Sequence, residues 1–232
     1  MALIWLYYLR IDSALAEIAV NTCIRYAKQA TSIAGTSGIN VIKSEGCSSY
    51  VGRIYYKRPQ IVFISTDCES NGGIQHEFSH ALGLEHEHAR PDRDRYLNVY
   101  TDNIVPDGED QFSKVDDVND FGVPFDMGSV MMYENDGFGK NGKKVLSPKQ
   151  AVFNEDLGQR QRLSFSDFKI LNFHYCKGIC KTKVSCLNGG YQNPNSCKQC
   201  LCPNEFSGPT CSAVKMTTTR CGTIELKATK VI

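Results

Sequence analysis

The sequence lacks the features that settle a protein's class most directly. Its 232 residues carry no excess charge of either sign, with 26 Lys and Arg against 25 Asp and Glu. That balance gives no broad footprint for nucleic acid or for an anionic membrane, so partners must be recognised by local chemistry. Long apolar runs are also missing: none approaches the roughly 18–20 residues that span a bilayer. The opening MALIWLYYLR has no basic residue ahead of its apolar stretch and no small-residue cleavage site behind it, so it reads as a core strand rather than an export signal. No Asn-x-Ser/Thr acceptor occurs, and glycosylation therefore says nothing about compartment. Histidine is scarce, with five in the chain.

Cysteine is abundant. Seven of the eleven fall between Cys176 and Cys211, a density that fits disulfides formed in an oxidising, extracellular setting. Composition shifts there to Cys, Gly, Asn and Pro. This predicts a catalytic-size domain over residues 1–178, a small disulfide-rich module over 179–212 and a flexible tail over 213–232.

Within the first domain, Leu15, Ile18, Ala19 and Tyr26 recur at helical spacing, predicting a helix from Asp12 or Ser13, as cap, to about Ala30. Ile39–Lys43 and Gln60–Ser65 read as strands, rich in β-branched residues and bounded by Gly, Pro and Ser. A break at Gly72-Gly73 precedes a helix over Ile74–Leu84, ended by Gly83. Past Asp94 the chain is loop-rich, until Phe168, Leu171 and Tyr175 predict a last helix over Ser166–Tyr175.

Four of the five histidines lie between His76 and His88. On a helix, His76 and His80 are four residues apart and project from one face, able to meet one metal ion. Gly83 lets the chain reverse and return His86 as a third nitrogen ligand. Three protein ligands leave one position open to water, as in a catalytic rather than a structural zinc site. Glu77, about 100° around the helix from His76, is placed as general base. HExxH alone is a weak signal, whereas His76-Glu77-x-x-His80-x-x-Gly83-x-x-His86 fixes five positions, one of them conformational. His88 reads as a surface or supporting residue rather than a fourth ligand.

That string is the one metzincins carry, and its continuation, HEHARPDRD, resembles the astacin family at Glu87, Arg90, Asp92, Arg93 and Asp94. Ser129-Val130-Met131-Met132-Tyr133 is similar to the family's methionine turn. Further likenesses lie at Thr22–Arg25, Cys47–Arg53, Cys68 and Tyr175-Cys176, so the resemblance covers nearly all of residues 11–176. It implies an α+β, zincin-like, two-lobed fold, with a twisted mixed sheet and active-site helix above an irregular lower lobe, and one zinc ion per chain. It also implies an extended polypeptide substrate pairing with an edge strand near Ser48–Val51. Met131 would form the apolar floor under the metal, Tyr133 would assist the oxyanion, and Glu87 would lie where a mature amino terminus is buried. Disulfides Cys23–Cys176 and Cys47–Cys68 are implied as well. Met132 stands where the family often has His, a change expected at the cleft wall, and the first strand is expected to be short.

The spacing from Cys180 to Cys211, with Asn188-Gly189-Gly190, resembles an EGF-like module. The resemblance selects Cys180–Cys197, Cys186–Cys200 and Cys202–Cys211 among fifteen possible pairings. Zinc binding by Cys197, Cys200 and Cys202 fits the turn less well, and no acidic cluster leads into Cys180 to suggest calcium. Cys221 is left over, in a stretch vaguely like the start of a CUB domain. The leading expectation is a secreted zinc endopeptidase using His76, His80, His86, Glu77 and Tyr133. The alternatives are an inert protease-like protein that binds extracellular partners through its EGF-like module, and a structural metal site completed by His88.

Overall fold

The computed structural model describes residues 2–215, with side chains from Tyr7 onward, and separates the chain into two units, the second beginning at Cys180. That division falls one residue past the expected boundary. The first unit opens with α1 (Ala2–Asn21), so the apolar opening stretch is helix, not strand. Its continuation explains the choice, since Ile11, Ala14 and Ile18 form one buried stripe at i, i+3, i+7 spacing. A short apolar run has no periodicity of its own to reveal this.

The helix also stops nine residues before the expected Ala30. Thr22 Oγ1 donates to the Ile18 carbonyl at 2.7 Å and accepts the Ile24 amide at 3.1 Å, diverting the chain. Tyr26, counted as helical, instead packs edge-on against Phe78 with ring centroids 6.0 Å apart. Asp12 is no cap, being mid-helix, and pairs with Lys28 at 2.7 Å.

Three strands follow: β1 (Ile39–Lys43), β2 (Ser48–Ser49) and β3 (Gln60–Ile64). They form a mixed sheet in the order β1-β3-β2, with β1 parallel and β2 antiparallel to β3. Alternation along β3 buries Gln60, Val62 and Ile64 on one face, the period-two pattern of a strand on a core. Against that face lies α2 (Asn71–Ala81), capped by Ser70 Oγ, which accepts the Gly73 amide at 3.0 Å. Ile74 and Phe78 of α2 join Ile18, Val62, Ile64, Met131 and Leu171 in the upper core. Each such side chain contributes about 1.5–3 kcal/mol by leaving water. The two glycines at the start of α2 permit close approach: a Cβ on Gly72 would sit 2.3 Å from the Arg160 carbonyl carbon, and one on Gly73 2.3 Å from the Cys68 oxygen.

Below the cleft the expected loop region holds short 3-10 turns and one two-stranded sheet, β4 (Leu97–Val99) with β5 (Leu146–Pro148). A second core forms there from Leu97, Ile104, Phe112, Met127, Met132, Val145 and Leu146. Adjacent Met131 and Met132 thus serve opposite cores. Met132 is fully buried in the lower one, so it does not alter the cleft wall as expected. The unit closes with α3 (Phe165–Tyr175), whose Ser164 and Asp167 form a reciprocal capping box, and with disulfides Cys23–Cys176 and Cys47–Cys68.

The second unit contains two small sheets, β6 (Tyr191–Gln192) with β7 (Cys200–Leu201) and β8 (Phe206–Ser207) with β9 (Ala213–Val214). Three disulfides join Cys180 to Cys197, Cys186 to Cys200 and Cys202 to Cys211. β9 corrects the expected start of the tail, because residues 213 and 214 are ladder-paired. The rest of that tail and Cys221 lie outside the described residues.

Candidate active site

His76 and His80 lie one turn apart on α2 and are nearly fully buried. Each Nδ1 donates to a carbonyl, His76 to Val130 and His80 to Leu84, both at 2.8 Å. A carbonyl can only accept, so Nδ1 holds the proton and each Nε2 is left with a free lone pair. Beyond α2 the chain turns at Gly83, φ +95°. The Glu87 amide then donates to the Met131 carbonyl at 3.0 Å, fastening the returning segment to the methionine turn.

The turn brings His86 to the other two rings. Its Nε2 lies 3.1 Å from that of His80, which is 3.1 Å from that of His76. Tetrahedral ligation at about 2.0–2.1 Å requires nitrogen separations of about 3.3 Å. The three donors therefore fit one zinc ion. Burial lowers the affinity of all three rings for a proton, His80 to about 4 and His76 well below the usual range, keeping them as the neutral imidazoles that metal binding needs.

These histidines line a cleft of about 550 Å³ with Glu77, Ser48, Ser49, Tyr133 and Arg160. Burial raises the Glu77 carboxyl to about 7, against the opposing charge of Arg160. Tyr133 lies against His86, ring centroids 4.4 Å apart, and donates to Gln111 Oε1 at 3.1 Å. Burial pushes its hydroxyl up to about 12, so it keeps its proton near neutral pH.

The remaining expected residues sit behind the cleft. Met131 is buried in the upper core. Glu87 is buried with Oε1 accepting the Asp126 amide at 2.7 Å and facing Arg90 at 3.3 Å. Arg90 is held in turn by Asp92 and Asp120, each at 3.0 Å, which gives the acidic and basic residues after the third histidine a structural purpose. His88 is fully buried rather than at the surface, its Nε2 donating to the Gln111 carbonyl at 3.1 Å beneath the Tyr133 ring, 4.1 Å away. It is not among the convergent donors.

Two residues escaped the sequence reading. Arg160 Nη1 donates to the carbonyls of Val130 and Met132 at 3.0 and 2.9 Å. Asp167 accepts from Ser129 Oγ at 2.6 Å, from the Val130 amide at 3.0 Å and from the Ser164 amide at 2.9 Å. Together they fix Val130, whose carbonyl orients His76. The capping pattern Ser164-x-x-Asp167 was the available signal for Asp167. Nothing local marks Arg160.

Helix-borne imidazoles, a third returned by a glycine turn and a methionine turn behind them place the first unit among the zinc peptidases of metzincin type. Comparison with known proteins sharpens that class. The model of the astacin peptidase family matches residues 8–176. The chain is 36% identical over 224 residues to zinc metalloproteinase nas-34 of Caenorhabditis elegans, covering 95% of this chain and 37% of that protein. With zinc metalloproteinase dpy-31 of the same organism it shares 38% identity over 207 residues, 88% of this chain and 35% of that one. The chain thus spans little more than a third of the length of these curated relatives. Among solved structures, high choriolytic enzyme 1, a hatching enzyme zinc-protease from the medaka fish Oryzias latipes, superposes with TM-score 0.66 at 32% identity, covering 73% of this chain and 82% of that one. The chain belongs to the astacin family. The cofactor of that family is a single zinc ion, and the three imidazoles suit it.

Proposed function

We propose that the protein is a secreted zinc endopeptidase that hydrolyses internal bonds of extended polypeptides, with zinc held by His76, His80 and His86 and with Glu77 as general base. The observation that carries this reading is the Glu77 carboxyl, buried beside three converging imidazoles in a cleft that an edge strand borders. Bound there, zinc supplies a Lewis acid that brings the pKa of water toward neutrality and polarises a carbonyl oxygen.

The chain's own groups do the rest. β2 is an edge strand, and its unpaired side offers amides and carbonyls along which an extended substrate aligns. Glu77, with its proton affinity raised to about 7, takes a proton from the attacking water and passes it to the departing nitrogen as the C–N bond breaks. Tyr133, released from Gln111, donates a hydrogen bond to the carbonyl oxygen as negative charge builds there. Glu87, Met131, Asp167 and Arg160 hold this constellation from behind.

The five disulfides among the described residues support an extracellular location, because such bonds persist in oxidising compartments. No helix among the described residues is long and apolar enough to cross a membrane. The unit from Cys180 fits an EGF-like module able to bind an extracellular protein. An inert, purely binding role for the whole chain is disfavoured by the intact donor set and base.

Glu77→Gln is the direct test. Gelatin cleavage should fall by at least about a hundredfold, while metal analysis still finds zinc near one per chain. Full activity in that variant overturns the mechanism.

A further inference from the structure

The near-neutral total hides a division of charge. Residues 1–179 carry 19 basic and 23 acidic side chains, whereas residues 180–232 carry seven basic and two acidic. In the described part of the second unit the basic residues are Lys181, Lys183, Lys198 and Lys215, and the one acid is Glu205. Glu205 directly precedes β8, where its carbonyl accepts the Lys215 amide at 2.7 Å. The other three lysines come from two separate segments, and the fold brings those segments together.

Two constraints do this. The Cys180–Cys197 disulfide holds its Cα atoms 5.4 Å apart, and Lys181 and Lys198 directly follow those cysteines. On β6, Gln192 Nε2 donates to the carbonyls of Thr182 and Cys197, each at 2.7 Å. Lys181 and Lys183 flank Thr182, so a single amide group gathers the backbone beneath all three cations. The turn before Lys198 is fixed as well, because the Asn193 amide donates to the Gln199 carbonyl and the Gln199 amide to that of Ser196, both at 2.9 Å. Lys181, Lys183 and Lys198 are exposed, and none of them forms an ion pair with a carboxylate among the described residues. Gathering like charges without a counter-charge is unfavourable, and an anion bound across them reverses the sign of that contribution.

We propose that Lys181, Lys183 and Lys198 form a binding surface for a sulfated polysaccharide. Charge complementarity calls for a polyanion, and a disulfide-stapled unit belongs where polyanions are carried on extracellular sugars. An ammonium is a compact point charge with rotatable donors, suited to sulfates whose spacing varies along a chain. Nucleic acid is disfavoured, since Tyr191, the aromatic residue of the β6–β7 sheet, is buried and offers no face on which bases stack. The surface lies within the second unit and stands whether or not the first one is a peptidase.

The test measures binding of the full chain to a heparin octasaccharide. One variant combines Lys181→Gln, Lys183→Gln and Lys198→Gln. A second combines Lys140→Gln, Lys143→Gln and Lys144→Gln, the same loss of charge at exposed lysines of the first unit. Kd should rise at least about tenfold in the first variant and stay within about twofold of wild type in the second. The slope of log Kd against log salt should fall in the first variant by about two to three, roughly one per lost contact. Equal weakening in both variants, or none in the first, overturns the surface. So does a wild type that binds desulfated octasaccharide equally well, or that prefers a poly-glutamate peptide or phosphatidylserine vesicles.

Amide exchange of the wild type decides the matter independently of how the variants fold. Bound octasaccharide should slow exchange at residues 181–183 and 198 but not at 140–144. Absence of slowing at the first group rejects the proposal whatever the variants do.

Discussion

From Tyr7 to Ile179 the chain closes on Ile18, Ile64, Ile74, Leu171 and their neighbours, whereas from Cys180 to Lys215 the buried apolar side chains are Tyr191 and Cys211. The first stretch can therefore offset its conformational entropy by burial. The second buries too little apolar surface among its described residues for that, and three disulfides restrict its unfolded states instead. The difference bears on function. Among the described residues it is the first unit that has the packing to hold His76, His80, His88 and three carboxyl groups out of water, with His86 half-buried beside them, and a hydrolytic site needs that kind of environment.

Breaking the comparison at its covalent end should give the largest effect on stability. Replacing Cys186 and Cys200 by serine removes one crosslink, at a cost of about 2–5 kcal/mol. The second unit should then lose its hydrogen-exchange protection over residues 180–215, while cleavage of a short peptide by the first continues. Unchanged protection would mean that something other than crosslinking stabilises this unit.

Legibility in the sequence follows the same division of labour. The strand Ile39–Lys43 and the start of β3 at Gln60 were readable because each is short, β-branched and bounded by breakers. Helix α2 was readable because its ligands needed one face, and α3 because Phe168 and Leu171 did. The opening of α1 was not, because an unbroken apolar run suits strand and helix alike until its far end, here Ile18, is seen to bury with the rest. Tyr26 misled for a related reason, since an aromatic ring can pack on α2 from a non-helical segment. At the site, the spacing revealed what touches the cleft, but the support behind it depends on contacts distant in sequence. Asp167 reaches Ser129 across 38 positions and Arg160 reaches Val130 across 30, and no local pattern encodes such pairs.

That support carries its own electrostatic cost. Asp167 is wholly buried, and burial raises its carboxyl to about 6 from an ordinary 3.8. Between those values the folded protein binds more protons than the unfolded chain, so this group lowers stability as pH rises through that window and changes nothing above it. Asp167→Asn should remove that slope. It should also cost about 1–3 kcal/mol, because one amide oxygen cannot accept all three donors now served. Urea unfolding of metal-free protein at several pH values between 4 and 7 reads both effects. An unaltered slope would show that Asp167 is already ionised in the fold.

The mildest probe inserts the same backbone strain into each unit. Gly83 and Gly189 have φ of +95° and +77°, and a Cβ would meet Gly52 Cα at 4.0 Å in one and Pro203 Cγ at 3.9 Å in the other. Space is available at both, so Gly83→Ala and Gly189→Ala should each cost only about 1–2 kcal/mol of conformational strain. The consequences should differ. Relaxing the turn at Gly83 moves His86 relative to His80, so that variant should surrender zinc at a lower chelator concentration than wild type. Gly189→Ala should release it as wild type does. If both alanine variants retained zinc equally well, the turn's positive φ would matter for stability alone, and the glycine in the histidine motif would have no role in positioning the third donor.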